Sequence, residues 1–184
     1  MATLNTTNIK HASSSSNSII LAPNGSVNIP TLTTNSSFGK LLQFDSVKWG
    51  TYTSTTSTSY IDTGLTINIT PTQANSTIAI VGRIQLCKTS YTAVARLLRD
   101  STEIDSNPDS GGNTDLFTFY SQSSYMSIGV PFMADDPSHN STSQLTYKLQ
   151  IKSDGGNTLY INGHNNNTGS YYSMSYMSVM EIAP

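Results

Sequence analysis

Between residues 61 and 151 apolar and polar positions alternate with a period of two, the spacing of a strand buried on one face. Leu65, Ile67 and Ile69 alternate with Thr66, Asn68 and Thr70, and Ile78, Ile80, Gly82, Ile84 and Leu86 repeat the habit in the next segment. The clearest run sets Leu145, Tyr147, Leu149 and Ile151 against Gln144, Thr146, Lys148, Gln150 and Lys152, which fixes one buried and one wet side. Further strands are predicted near 42–49, 51–60, 92–98, 116–121, 125–134, 158–163 and 171–182, nine or ten in all. Pro71, Asp100-Ser101, Gly111-Gly112, Asp135-Asp136-Pro137, Asp154-Gly155-Gly156 and Asn165 to Gly169 supply the breaks. No stretch of useful length has the helical period, and Pro131 inside an alternating run marks an edge or bulged strand. The expected fold class is all-β, an antiparallel β-sandwich of jelly-roll type with an extended N-terminal arm.

The arm is residues 1–39, and residues 40–184 form the sandwich knob. Lys10 is the one ordinary charged side chain of the arm, which contains no acid and carries the low-complexity run Ser13 to Ser16. Within it Ile19 and Leu21, then Asn24-Gly25, then Val27 and Ile29 read as a hairpin, because Asn-Gly supplies the positive φ of a type I′ turn. A lone hairpin is marginal in water. An uncharged arm with so little core of its own is better explained by packing on another chain, and Ile9, Ile19, Leu21, Val27 and Ile29 are its candidate contacts; the competing reading is a floppy tail with incidental Ile and Val.

Composition agrees with strands and turns. Among 184 residues there are 29 Ser, 25 Thr and 16 Asn, while charged residues make up 11%. Ser, Thr and Asn compete with the helical backbone for hydrogen bonds, whereas Thr, Tyr, Val and Ile suit pleated strands. Nine Lys plus Arg against eleven Asp plus Glu, with no basic stripe, exclude electrostatic capture of nucleic acid. The start, Met1-Ala2-Thr3-Leu4-Asn5, lacks the regions of a secretory leader, and aliphatic runs such as Ile19 to Ala22 reach four residues, so neither export nor membrane insertion is expected. Cys87 is the single cysteine, which leaves no disulfide framework and no cysteine-based zinc site within one chain. Seven Asn-x-Ser/Thr triplets are near chance in such a composition.

Candidate chemistry is sparse. Asp105-Ser106-Asn107-Pro108-Asp109 begins like a calcium loop, but Ser110 stands where the sharp-turn glycine belongs and Leu116 where a bidentate Glu would close the site. His11, His139 and His164 lie far apart in Ser/Asn-rich contexts and are expected to be exposed loop residues. Asp135-Asp136 is expected to initiate a turn before Pro137. No phosphate loop or nucleophile elbow is present, since both need a strand followed by a helix. These readings give a non-enzymatic protein with no catalytic residue, metal or cofactor. Tyr is the enriched aromatic, ten against five Phe and one Trp. Tyr171, Tyr172 and Tyr176 follow the polar loop of Asn165, Asn166 and Asn167, and Tyr120 and Tyr125 flank a Ser-rich one. Tyr with Asn and Ser is the vocabulary of adaptable recognition surfaces, so the first six of these residues are candidate contacts for a host surface or glycan; filling a subunit interface or covering a sheet face are the alternatives.

Four pieces of the chain carry a resemblance: Asp62-Thr63-Gly64-Leu65 through Ile69-Thr70-Pro71, Arg96 to Ile104, Leu145 to Ile151, and the ending Met180-Glu181-Ile182. In these, residues 41–182 resemble the small β-rich virion appendage proteins of tailed bacteriophages, of tail-fibre, head-fibre or decoration type, especially marine phages infecting cyanobacteria. The start, with Asn8-Ile9-Lys10 and Ile19-Ile20-Leu21 before Asn24-Gly25, is similar to appendage N-termini of such phages. The resemblance implies a homotrimeric, non-enzymatic knob on the exterior of a phage particle, docked by its arm to other virion proteins of tail or capsid. A tail fibre or receptor-binding tip is the first expectation, a capsid decoration or head-fibre protein the second, and a free carbohydrate-binding module or a depolymerase the last.

Overall fold

The sandwich is one long hairpin rolled into two sheets. In the computed structural model residues 8–9, 19–21, 27–28, 39–88, 90–104, 115–120, 126–137, 139–164 and 173–184 are described, the first three segments as backbone. Contacts divide the backbone into two units, Met1–Phe38 and Gly39–Pro184. In the first unit β1 (Asn8–Ile9), β2 (Ile19–Leu21) and β3 (Val27–Asn28) form a small antiparallel sheet in the order β1-β2-β3. Leu21 pairs with Val27 and Ile20 with Asn28. Asn24-Gly25, the turn the sequence suggests, lies outside the described residues. Ile29 lies outside the described residues.

The second unit contains β4 (Leu41–Trp49), β5 (Thr53–Thr55), β6 (Ile61–Ile69), β7 (Thr77–Lys88), β8 (Thr92–Arg99), β9 (Thr102–Ile104), β10 (Phe117–Tyr120), β11 (Ile128–Asp136), β12 (Leu145–Ser153), β13 (Leu159–Ile161) and β14 (Ser175–Ile182). One sheet runs β4-β14-β7-β11 and the other β6-β12-β8-β10, all pairs antiparallel. The principal strands are nested in sequence, β4 with β14, β6 with β12, β7 with β11 and β8 with β10, and successive nested pairs fall in opposite sheets. This is jelly-roll topology. The short strands extend two edges: β9 continues the line of β10 along β8, and β13 continues the line of β14 along β7 and carries β5 beyond it.

Alternation decides which faces meet. Leu145, Tyr147, Leu149 and Ile151 of β12, Leu65, Ile67 and Ile69 of β6, and Ile78, Ile80, Ile84 and Leu86 of β7 are buried and pack with Leu97, Met177 and Val179 into one core. Gly82, the one small residue in the β7 run, sits beneath Phe132 of β11: a Cβ there would lie 2.3 Å from the ring. β11 pairs with β7 alone among the described strands, so Pro131, opposite Arg83, occupies the edge position that its missing N–H requires. The sharpest turn is Asp100-Ser101 between β8 and β9, where Asp100 has φ +55° and takes the left-handed conformation that two-residue hairpins need.

Candidate functional site

Nesting sorts the connections between the two ends of the sandwich. Register places the end of β4, the start of β8, the end of β10, the start of β11 and the start of β14 together, since Ser175 pairs with Trp49, Tyr120 with Thr92 and Ile128 with Leu86. The connections 50–60, 89–91, 121–127 and 154–174 therefore share one end, the loop end. The connections 70–76 and 137–144, the start of β4 and the end of β14 share the other, the base.

Two exposed aromatics stand at the loop end. Tyr91 and Tyr120 are each 58% exposed, and Met126 and Met174 about half exposed. Tyr91, at φ +62°, turns its ring onto Gly155, whose added Cβ would meet ring atoms at 3.0–3.3 Å. Beneath them Lys88 is fully buried; its Nζ donates to Ser153 Oγ at 2.6 Å and to the Asn157 carbonyl at 3.1 Å, and Ser153 Oγ donates to that same carbonyl. Burial pushes the Lys88 ammonium below the usual lysine range, partly offset by the charge of Asp154. Asn162 forms a second fastening. At φ +58° it donates through Nδ2 to the carbonyls of Trp49 and Thr51, both at 3.1 Å, and accepts from Ser175 Oγ at 2.6 Å. Ser127 Oγ and Ser173 Oγ stand 3.3 Å apart, joining two of the connections.

Of the sequence-selected contacts, Asn165, Asn166, Asn167, Tyr171 and Tyr172 lie outside the described residues. Tyr176 is placed differently. It stands on β14 on the outer face of its sheet, opposite Lys48 and Arg83, with the Arg83 guanidinium 5.6 Å from its ring. Tyr91 is a loop-end aromatic that sequence reasoning did not select; the Ser90-Tyr91-Thr92 context between two strands was its available signal.

The base is polar and closed. Glu181 is fully buried and accepts from the backbone N–H of Thr72 and Gln73 at 2.9 and 3.0 Å, from Gln43 Nε2 at 2.6 Å and from Ser76 Oγ at 2.7 Å. Burial alone would raise its carboxyl, but the Thr72 N–H, the Ser76 hydroxyl, the Gln43 amide and the Gln73 N–H hold it down at about 2. Contrary to the sequence expectation, His139 is buried. Its Nδ1 accepts from the Ser141 N–H at 3.3 Å, so Nε2 carries the proton and donates to Ser76 Oγ at 3.2 Å. Ser, His and Glu thus meet, but the carboxylate touches the serine rather than the histidine and the serine is fully buried, which is not the order of a hydrolytic triad. Asp136 ends β11 directly before the turn at Pro137, and its buried carboxylate accepts from Arg99 Nη1 at 2.8 and 2.9 Å and from the Tyr147 hydroxyl at 2.8 Å. Burial and that bond to Asp136 push the Tyr147 hydroxyl above its ordinary range.

Asp105 to Asp109 and His11 lie outside the described residues. Among the described residues no group of three or more His, Cys, Asp or Glu side chains is placed to hold a metal ion, and no helix is long and apolar enough to cross a membrane.

No protein-family model matches the sequence, and no curated protein sequence matches it. Solved structures of infectious bursal disease virus are similar at low level. The VP2 subviral particle matches at 14% identity and TM-score 0.35, over 77% of this chain and 37% of that one. The Gx strain structure matches at 12% and 0.37, over 85% and 42%, and the virus-derived T=1 particle at 14% and 0.37, over 89% and 40%. The chain spans about two fifths of the length of those proteins. At such scores the fold assignment rests on the strand order itself.

Proposed function

We propose that this chain is a non-enzymatic structural protein of a bacteriophage particle: a homotrimeric appendage docked by residues 1–39 to other virion proteins, with its sandwich displayed outside. The observation that carries this reading is the polarity of the sandwich. The chain enters it at the base, where Glu181 and Asp136 knit the connections together, and the Tyr- and Ser-rich connections lie at the opposite end. A knob held from one end presents the other to whatever the particle meets. Exposed Tyr91 and Tyr120 offer rigid amphipathic rings beside small polar groups, a surface suited to a host glycan. The resemblance of residues 41–182 to phage appendage proteins supplies the virion setting.

An antibody against the knob, imaged on intact particles, tests the reading. Labelling of the tail tip supports a receptor-binding appendage, and labelling over the head instead supports the decoration alternative. Particles that carry none of the protein would refute both.

A further inference from the structure

The two sheets differ on their outer faces. Outside β6-β12-β8, Arg96 bonds Gln150 at 2.8 Å and Glu103 at 3.3 Å, Gln150 and Lys148 reach Asp62 at 2.6 and 3.2 Å, and the Tyr60 ring lies under Arg96 and Lys152. That face is a charged surface laced with ion pairs. Outside β4-β14-β7-β11 the register gives three cross-strand rows: Phe44, Met180, Ala79, Asp135; Ser46, Ser178, Val81, Met133; and Lys48, Tyr176, Arg83, Pro131. Met133 is 74% exposed, Phe44 59% and Tyr176 41%. Large apolar side chains stand in water in all three rows, with Asp135 the charge of the row nearest the base and Lys48 and Arg83 those of the row nearest the loop end, a patch suited to an interface.

We propose that this face is where two copies of this chain pack on one another; the contact is two-fold, so it goes beyond the homotrimer of the preceding reading and does not supply that trimer's own contacts. Two features select a second copy as the occupant. The first is charge. Asp135 lies in the row nearest the base and Lys48 with Arg83 in the row nearest the loop end, so the face carries both signs at opposite ends and complements a copy of itself laid with strands reversed. In that alignment Asp135 of one copy comes beside the Pro131–Arg83 end of the other, Met180 meets Tyr176, and the small and flexible row of Ser46, Ser178, Val81 and Met133 meets itself. The second is area. Four strands about 4.8 Å apart and roughly 30 Å long cover on the order of 500 Å² of flat face, so two such faces reach the ~1,000 Å² at which specific association becomes stable.

Sedimentation velocity of the full-length protein tests this. The parent protein is expected with an even number of copies, and Phe44→Glu with Met133→Glu is expected to weaken the two-fold association about 100-fold or more with an unchanged far-ultraviolet circular dichroism spectrum. Asp135→Lys alone should weaken it, and adding Arg83→Glu should restore it. A second measurement does not depend on those variants folding. Ser46→Cys places a thiol in the middle row and Thr66→Cys one on the other sheet's outer face, while Cys87 is buried and silent. A short bismaleimide should link copies of the Ser46→Cys variant and leave copies of the Thr66→Cys variant unlinked. A double-glutamate variant whose mass equals the parent's, or copies linked through the thiol of the Thr66→Cys variant, overturns the assignment of the face. A parent protein that sediments as a trimer or a monomer overturns it as well, the trimer leaving the preceding reading standing and the monomer removing that too.

Discussion

The indole of Trp49 lies flat against the backbone of Gly64. A Cβ on Gly64 would stand 2.8 Å from Cε2 and Cζ2 of that ring and 3.1 Å from Nε1. Trp49 ends β4 in one sheet and Gly64 sits in β6 of the other, so the contact closes the sandwich along that edge. β6 is locally irregular there: Lys148 faces Thr66 but Gln150 faces Asp62, and Thr63 Oγ1 bridges the gap by donating to the Leu149 carbonyl at 2.8 Å. Gly64 takes φ +95° to make the bend.

Gly64→Ala is accordingly expected to destabilise the protein by about 2 kcal/mol or more, from positive φ and from displacement of the indole together. Urea unfolding followed by fluorescence checks it directly, because Trp49 is the sole tryptophan and its emission should shift to the red in the folded variant as well. A midpoint and an emission maximum equal to those of the parent would show that the contact is dispensable.

Glu181 makes the base sensitive to acid. Its carboxyl is depressed to about 2 in the folded protein from an ordinary 4.5, so its contribution is fully present above pH 4.5 and is lost as the pH falls toward 2. Urea midpoints measured from pH 6 to pH 2 should fall across that window. In Glu181→Gln the fall should be smaller and the protein already less stable at pH 6, by about 3 kcal/mol, because the single amide oxygen cannot accept from all five donor groups. Equal pH dependence in the two proteins would assign the acid transition elsewhere.

Asp136 and Tyr147 separate a charge from a hydroxyl in the same cluster. Asp136→Ala leaves the Arg99 guanidinium and the buried Tyr147 hydroxyl without their acceptor and should cost about 3 kcal/mol. Tyr147→Phe removes one donor and leaves the ion pair, so about 1 kcal/mol is expected. Thermal or urea unfolding of the two variants should rank them in that order.

Tyr91→Ala with Tyr120→Ala tests the loop end. Both rings are mostly exposed, so unfolding midpoints should change by less than about 1 kcal/mol, whereas adsorption of particles carrying the variant to host cells should drop about tenfold or more. Unchanged adsorption would remove these rings from the recognition surface.

By itself the sequence determined the layers. Period-two alternation is a local property, and every residue it placed inside in β12, β7 and β6 is buried, although Gln85, Cys87 and Lys88 at the end of β7 are buried outside the pattern, while Pro131 marked an edge through its missing donor. The same local logic misread His139 and gave Asp136 no partner, because Ser-His-Asn spells exposure and Asp-Asp-Pro a turn, and neither names a distant group. Only the tertiary structure supplied those partners. Glu181 finds its donors 105 to 138 residues away, and Tyr147 reaches Asp136 across the fold between two strands that are not neighbours in one sheet. Which residues share the loop end, and which apolar side chains face water on β4 and β11, follow equally from the nesting of strand pairs. Spacing along a chain carries which side of a strand is wet, but not which strand lies beside it.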